Sequence, residues 1–309
     1  MPDPPHTAAR IAVLIPCYNE SRTIAKVVAD FRREIPEAAI HVFDNNSTDG
    51  TGEIARSAGA TVLHEKKQGK GHVVAAMFDQ VEADYYVMVD GDDTYPPERV
   101  RELLRPVMNG EADMAVGRRE AVDQADAYRR FHVLGNWLVR TMINRIFGSR
   151  LQDIMSGYRA FTRATALNLP VIAYGFDIET EMTIQCLYRK WVIREVPVDY
   201  RGRPEGSASK LNTFHDGLRV IFKILSLFRS YKPLTFFGLL AILFFLAACG
   251  CAAGVFWGTL PQDSTLRMSL IVLATTFMAM SLVAASIGVI VQLINFRFLE
   301  LDSLLRRRR

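Results

Sequence analysis

The sequence predicts an α/β fold with a largely parallel sheet, followed by a basic amphipathic helix and two membrane-spanning helices. Three observations predict it. Short apolar, β-rich runs alternate with amphipathic stretches from Ile11 to about Leu211. Polar motifs close the apolar runs at Pro16–Glu20, Asp44–Thr51 and Asp90–Thr94. Two long stretches nearer the C-terminus, Leu234–Leu260 and Met268–Ile294, contain no Asp, Glu, Lys or Arg. Half of the 309 residues are hydrophobic and the mean hydropathy is +0.09, more apolar than a purely soluble enzyme requires.

The elements follow in order. Ile11–Ile15 (IAVLI) reads as a buried strand. Over Thr23–Glu34 the apolar residues Ile24, Val27, Val28 and Phe31 recur at helical spacing. A second strand is predicted at Ile40–Phe43, a helix over about Gly52–Ala58 and a third strand near Thr61–Leu63. A helix over about His72–Val81 then leads to the strand Tyr85–Val89. This βαβα order calls for a parallel sheet covered by helices on both faces, with functional groups at the carboxyl ends of the strands.

The character changes after Leu211. Leu211, Phe214, Leu218, Ile221, Phe222, Leu225 and Phe228 recur at helical spacing, with Arg219, Lys223 and Arg229 between them. That pattern suits a helix lying in a membrane interface. The two charge-free stretches each exceed the ~20 residues that cross a bilayer. Arg229 and Lys232 precede the first, and Arg297 and the terminal run Arg306–Arg309 follow the second. The positive-inside rule then expects an inner-membrane protein with the catalytic domain and both termini in the cytoplasm, and the Pro261–Thr265 link outside. The arginine run also suits anionic headgroups. The expected domains are 1–210 for catalysis, 211–232 for the amphipathic helix and 233–309 for the anchor, with spans at 234–260 and 268–294.

Three motifs carry chemistry. Asp90-Gly91-Asp92-Asp93-Thr94 follows a hydrophobic strand and precedes Pro96-Pro97. Carboxylates two apart on a turn can converge on one divalent ion, and oxygen ligands favour Mg²⁺ or Mn²⁺. Ile15-Pro16-Cys17-Tyr18-Asn19-Glu20 ends the first strand, and Asp44-Asn45-Asn46-Ser47-Thr48-Asp49-Gly50-Thr51 follows the second. Asp44 can accept hydrogen bonds from a base N–H and Tyr18 offers an aromatic face. Read alone, the Asp44 segment is equally a turn with a helix cap.

Together these motifs resemble family 2 glycosyltransferases of the GT-A fold, a Rossmann-like nucleotide-diphospho-sugar transferase architecture. The resemblance covers about Ile11 to Leu211. It implies that Pro16, Tyr18, Glu20 and Asp44 hold the nucleotide, with Lys70 beside it. It also puts Asp90 near the donor diphosphate as a catalytic group, and Asp92 and Thr94 at the metal, with Asp92 the main ligand. Gln152-Asp153-Ile154-Met155-Ser156-Gly157-Tyr158-Arg159 and Arg201–Lys210 resemble the dolichol-phosphate mannose synthase-like branch, including bacterial polyprenyl-phosphate glycosyltransferases. Those enzymes typically carry Gln where this chain has Thr94, and Asp93 is an extra carboxylate. The resemblance implies an inverting transfer from a nucleotide sugar to a polyprenyl phosphate for cell-envelope glycan or glycoprotein synthesis. It places Arg119, Arg130, Arg203 and Lys210 at the acceptor phosphate. Asp153 has the family's base position, either as a base or as a positioning group. A phosphomonoester with a second pKa near ~6 is already mostly ionised and needs no base.

Other readings are narrower. A glycosyltransferase acting on a sugar hydroxyl is the alternative, but its processive forms carry a QxxRW segment. Gln185-Cys186-Leu187-Tyr188-Arg189-Lys190-Trp191 lacks that spacing. A fold-retaining scaffold without activity leaves the acidic and basic sets unexplained, and no GxGxxG follows the first strand to suggest a dinucleotide oxidoreductase. The net charge of +4 gives no global field for nucleic acid. Cys17, Cys186, Cys249 and Cys251 form no CxxC pair, and the polar N-terminus has no apolar leader. A homo-oligomer is compatible with the sequence but not indicated by it.

Overall fold

The computed structural model describes residues 9–121, 128–169, 178–202, 225–226, 228–256 and 264–306. The chain divides into two units, Met1–Asp216 and Gly217–Arg309.

The first unit is a seven-stranded sheet in the order β3-β2-β1-β4-β6-β5-β7. Its strands are β1 (Ile11–Cys17), β2 (Ala39–Asp44), β3 (Thr61–His64), β4 (Tyr85–Met88), β5 (Met114–Ala121), β6 (Arg159–Thr162) and β7 (Ile193–Tyr200). The first four are parallel neighbours, as are β5 and β7. Only β6 runs against its neighbours, wedged between β4 and β5. The sheet is therefore mixed though mostly parallel.

The helices are α1 (Ile24–Glu34), α2 (Thr51–Ser57), α3 (Lys70–Gln80), α4 (Val100–Met108), α5 (Tyr128–Phe147), α6 (Arg163–Asn168) and α7 (Ile178–Tyr188). The unbroken apolar run of β1 follows from burial on both faces. Ile11, Val13 and Ile15 join one core with Val27, Val28 and Phe31 of α1 and Leu103 and Val107 of α4. Ala12 and Leu14 join the other with Val74 and Met77 of α3 and Met182 of α7. Period-2 alternation sorts one strand between two cores.

Strand order reverses at β1, which lies between β2 and β4. In an open α/β sheet that reversal opens a crevice at the carboxyl ends. The register aligns Cys17, Asp44 and His64 in one row across β1, β2 and β3.

The second unit contains α8 (Pro233–Phe256) and α9 (Ser264–Arg306). Their apolar windows are Pro233–Val255 and Thr265–Phe298, and only 11% of each window is buried. Ser281 Oγ donates to the Ala241 carbonyl at 2.8 Å, Phe244 stacks on Phe277, and Gly288 lets α9 approach Phe237. Outward residues such as Leu239, Leu246, Val272 and Leu282 are exposed. Both helices are long and apolar enough to cross a bilayer. The second helix runs to Arg306, well past the predicted end of the span at Ile294, because charge ends a membrane core without ending a helix. Arg297 and Glu300 pair at 2.7 Å one turn apart and carry it on.

Candidate active site

The loops after β1 and β2 are knitted to each other. Asn19, in the left-handed region at φ 54°, donates its N–H to Ser47 Oγ, and its side chain accepts from Thr48 N. Glu20 N donates to Thr51 Oγ1 and Ser21 N to Asp49 Oδ2. Burial raises the Asp49 carboxyl, but the hydroxyl and N–H donors of Thr51 and Ser21 together outweigh it and lower it to about 2. Pro16 ends up in β1, with Tyr18 exposed beyond it. Asp44 accepts from Ser47 N at 3.3 Å, and His64 Nδ1 lies 3.6 Å from its other oxygen. Asn45 binds three backbone groups of the loop after β3, at Glu65, Lys67 and Gly69, and so fixes the entry to α3 and Lys70.

The loop after β4 meets the end of β1 and the segment that follows it. Thr23 Oγ1 donates to the Gly91 carbonyl at 2.6 Å. A Cβ on Gly91 would fall 2.7 Å from Cys17 Sγ, so glycine lets the two loops meet. Asp92 and Thr94 are buried, and Thr94 Oγ1 donates to Asp92 Oδ1 at 2.6 Å. With its proton directed to Asp92, the Thr94 hydroxyl can face a cation only through its lone pairs. Asp93 adopts φ 58° and turns away, pairing with Lys26 Nζ on α1 at 2.8 Å.

Lys70 Nζ lies 2.6 Å from Asp90 Oδ1 and 2.5 Å from Glu179 Oε1. Burial alone would lower the Lys70 pKa, but the two carboxylates reverse this and raise it. A Cβ on Gly157 would sit 2.5 Å from Asp90 Oδ2, so the Ser156–Gly157 turn closes on that carboxylate. Tyr95 Oη accepts from Gly157 N at 2.9 Å and holds the turn. Arg159 is fully buried and binds the Ile154 and Ser156 carbonyls together with Thr183 Oγ1. It ties that turn to α7, the helix that carries Glu179.

Along the sheet edge, Arg119 grips Asp153 through a two-bond fork, Nε at 2.7 Å and Nη2 at 2.9 Å, and its backbone N–H adds a third bond. Its guanidinium also lies 5.4 Å from the Tyr200 ring centre. Burial raises the Asp153 carboxyl, but Arg119 outweighs that and holds it below the usual carboxylate range. Arg201 N donates to the Thr94 carbonyl at 3.0 Å. Arg130 lies on α5 with its side chain outside the described residues, as are Arg203 and Lys210.

Sequence reasoning brought Tyr18, Glu20, Asp44, Lys70, Asp90, Asp92 and Thr94 to one edge, and the structure has them at the end of β2, at the start of α3 and on the loops after β1 and β4. It missed Glu179. That residue reads as an ordinary acidic first-turn residue of a helix, and nothing local ties it to Lys70. It also assigned Arg119 and Asp153 separate roles, whereas here they bind each other. Gln185 and Arg189 do meet, at 2.7 Å, with Arg189 over Trp191.

Among the described residues, no group of three or more His, Cys, Asp or Glu side chains could hold a metal alone. Asp92, with Asp90 in the same loop, offers hard carboxylate oxygen. That set suits Mg²⁺ or Mn²⁺ taking its remaining ligands from a diphosphate and water.

The profile of glycosyl transferase family 2 matches residues 12–167. The chain belongs to this family. Glycosyltransferase AglJ of Haloferax volcanii is 38% identical over 233 residues, covering 75% of this chain and 76% of that protein. The dolichyl-phosphate hexose transferase of Haloferax volcanii is 30% identical, covering 70% and 92%. The undecaprenyl-phosphate mannosyltransferase of Micrococcus luteus is 31% identical, covering 64% and 86%. These relatives put the chain in the dolichol-phosphate mannose synthase-like branch of family 2, and the chain is a glycosyltransferase. Glucosyl-3-phosphoglycerate synthase from Mycobacterium tuberculosis, solved with Mg²⁺ and UDP, superimposes with a TM-score of 0.59 at 23% identity, over 71% of this chain and 79% of that one. The shared fold is GT-A.

Proposed function

We propose that this glycosyltransferase moves a sugar from a nucleotide-sugar donor to the phosphate of a membrane polyprenyl phosphate, with inversion at the anomeric carbon. The observation that carries the reading is the presence, in one chain, of carboxylates gathered at the carboxyl end of the sheet and of two helices long and apolar enough to cross a bilayer. Relatives named for dolichyl and undecaprenyl phosphate support the acceptor class.

Pro16, Tyr18, Glu20 and Asp44 hold the nucleoside, and Lys70 and Asp90 flank the diphosphate. Asp92, oriented by Thr94, holds Mg²⁺ or Mn²⁺. When bound, that ion neutralises charge on the departing diphosphate. Asp153, gripped by Arg119 and held ionised, serves to position. An acceptor phosphate already carries the attacking charge, so no side chain has to take a proton. Arg130, Arg203 and Lys210 receive the phosphate, since arginine offers it a planar fork. Residues 1–210 form the catalytic domain, 211–232 the interfacial helix and 233–309 the anchor. The catalytic side faces the cytoplasm, because Arg229, Lys232, Arg297 and Arg306 flank the apolar windows.

The test is to incubate the purified chain with radiolabelled nucleotide sugars and either a prenyl phosphate or the matching prenyl alcohol. An organic-soluble product is expected with the phosphate alone and is expected to disappear in excess chelator. Equal transfer to the alcohol, or to a free sugar, overturns the acceptor assignment. A cysteine at Gln262 that an impermeant thiol reagent reaches only after permeabilisation overturns the orientation.

A further inference from the structure

We propose that Glu179 is a positioning residue of the donor site, acting through Lys70 to set the charge presented to the metal–diphosphate group. The inference rests on the donor reading above and concerns a residue outside its motifs.

Three observations carry it. Lys70 Nζ bridges Asp90 and Glu179 at 2.6 and 2.5 Å, so the ammonium is shared rather than committed to Asp90. The Lys70–Glu179 end of the cluster is enclosed. Glu179 is buried, and the Lys70 side chain is 15% exposed. Asp90, 27% exposed, lies close enough to Gly157 that a Cβ there would meet its carboxylate. Finally, Glu179 is held from behind: Thr183 Oγ1 donates to its carbonyl and accepts from buried Arg159, which also anchors the turn bearing Gly157. A fully buried arginine fastening both walls of a carboxylate–ammonium–carboxylate bridge is built for fixed geometry.

Two carboxylates against one ammonium leave one net negative charge. That charge favours a divalent cation at Asp90 and Asp92, and it restrains Lys70 from holding a bare diphosphate on its own. Neutralising Glu179 therefore has two effects of opposite sign. Lys70 gains attraction for a metal-free diphosphate, and the cation loses attraction for the loop. A residue that merely supports the fold would weaken both.

The experiment uses the full-length chain in detergent and the nucleoside diphosphate, UDP or GDP, that the unmodified chain binds with Mn²⁺. Affinity for that nucleotide in EDTA is measured by calorimetry. Mn²⁺ binding in its presence is measured from the free-ion electron paramagnetic resonance signal. Glu179→Gln should tighten metal-free nucleotide binding and weaken Mn²⁺ binding, each by about tenfold, the effect of a unit charge removed roughly 10 Å away at an effective dielectric of about 20. Glu179→Asp, which keeps the charge, should recover most of both. Lys70→Gln makes the opposite charge change and should move both readouts the other way, which keeps the idea testable if Glu179→Gln does not fold. Joint loss of both affinities in a folded Glu179→Gln protein, or no change in either, overturns the proposal. If the unmodified chain binds neither nucleotide with Mn²⁺, it is the donor reading that fails.

Discussion

Two ionic clusters at the carboxyl edge of the sheet use the same kinds of residue differently. At one, Lys70 lies between Asp90 and Glu179, and one negative charge is left over. At the other, Arg119 and Asp153 close on each other fork to fork, and their charges cancel. The first is poised to attract a cation, whereas the second is a finished contact. A carboxylate beside a cation is therefore no guide to role by itself. What matters is whether charge and lone pairs remain once the protein's own contacts are made.

The comparison can be broken most severely at the metal loop. Asp92→Asn should abolish nearly all transfer while leaving the thermal transition in place, because the donor diphosphate then lacks its counter-ion. Radiolabelled transfer and a melting curve check both halves.

Next, the closed pair should matter for stability more than for chemistry. Asp153→Ala leaves Arg119 without its partner in a largely buried site and should cost on the order of 3 kcal/mol. Asp153→Asn should fold and keep transfer within about tenfold, whereas a general base at that position requires a loss of about 10²–10⁴. Denaturant titration and steady-state rates separate the two.

The basic residues beyond Arg201 sharpen the contrast at the acceptor. Arg203→Ala and Lys210→Ala should each reduce acceptor efficiency by about tenfold to a hundredfold, the equivalent of one charge-assisted hydrogen bond. Nucleotide affinity should hardly move. Kinetics with varied acceptor at saturating donor test this, with calorimetry on the donor side.

The smallest expected effect is on acid stability. Asp153 and Asp49 both have carboxyls lowered in the folded chain, the latter to about 2. Their contribution is complete above the unfolded carboxylate range near ~4 and is lost as pH falls through the folded values. Melting temperature should therefore drop steeply below about pH 4, and less steeply in Asp49→Asn and Asp153→Asn.

The parallel half of the sheet was legible in the sequence because its signals are local. Each apolar run is followed at once by its polar loop, so Pro16, Asp44 and Asp90 could be placed at strand ends before any pairing was known. The reversed β6 was not legible. Arg159–Thr162 is a four-residue strand whose direction is set by pairing with Tyr85–Met88 and Met114–Val116, far away in the chain. Glu179 was hidden for the same reason, since its partner is chosen by the packing of α7 against the sheet. Arg159 stands in the sequence as the last residue of the Gln152–Arg159 motif, and only burial reveals it as the fastener between two walls.

The unequal helices of the second unit have a mechanical consequence. Asn295 Nδ2 donates to the Ser230 carbonyl at 2.7 Å, level with the start of α8. Beyond it α9 continues from Phe296 to Arg306 with no α8 residue left to lie beside, an overhang of roughly 16 Å at 1.5 Å per residue. An α-helix keeps its length because every turn is closed by its own backbone bonds. The overhang thus acts as a rigid ruler and sets how far from the paired helices the arginine-rich end of the chain begins. Inserting or deleting residues there would move that positive charge along the helix axis in steps of about 1.5 Å, while each step also swings it about 100° around that axis.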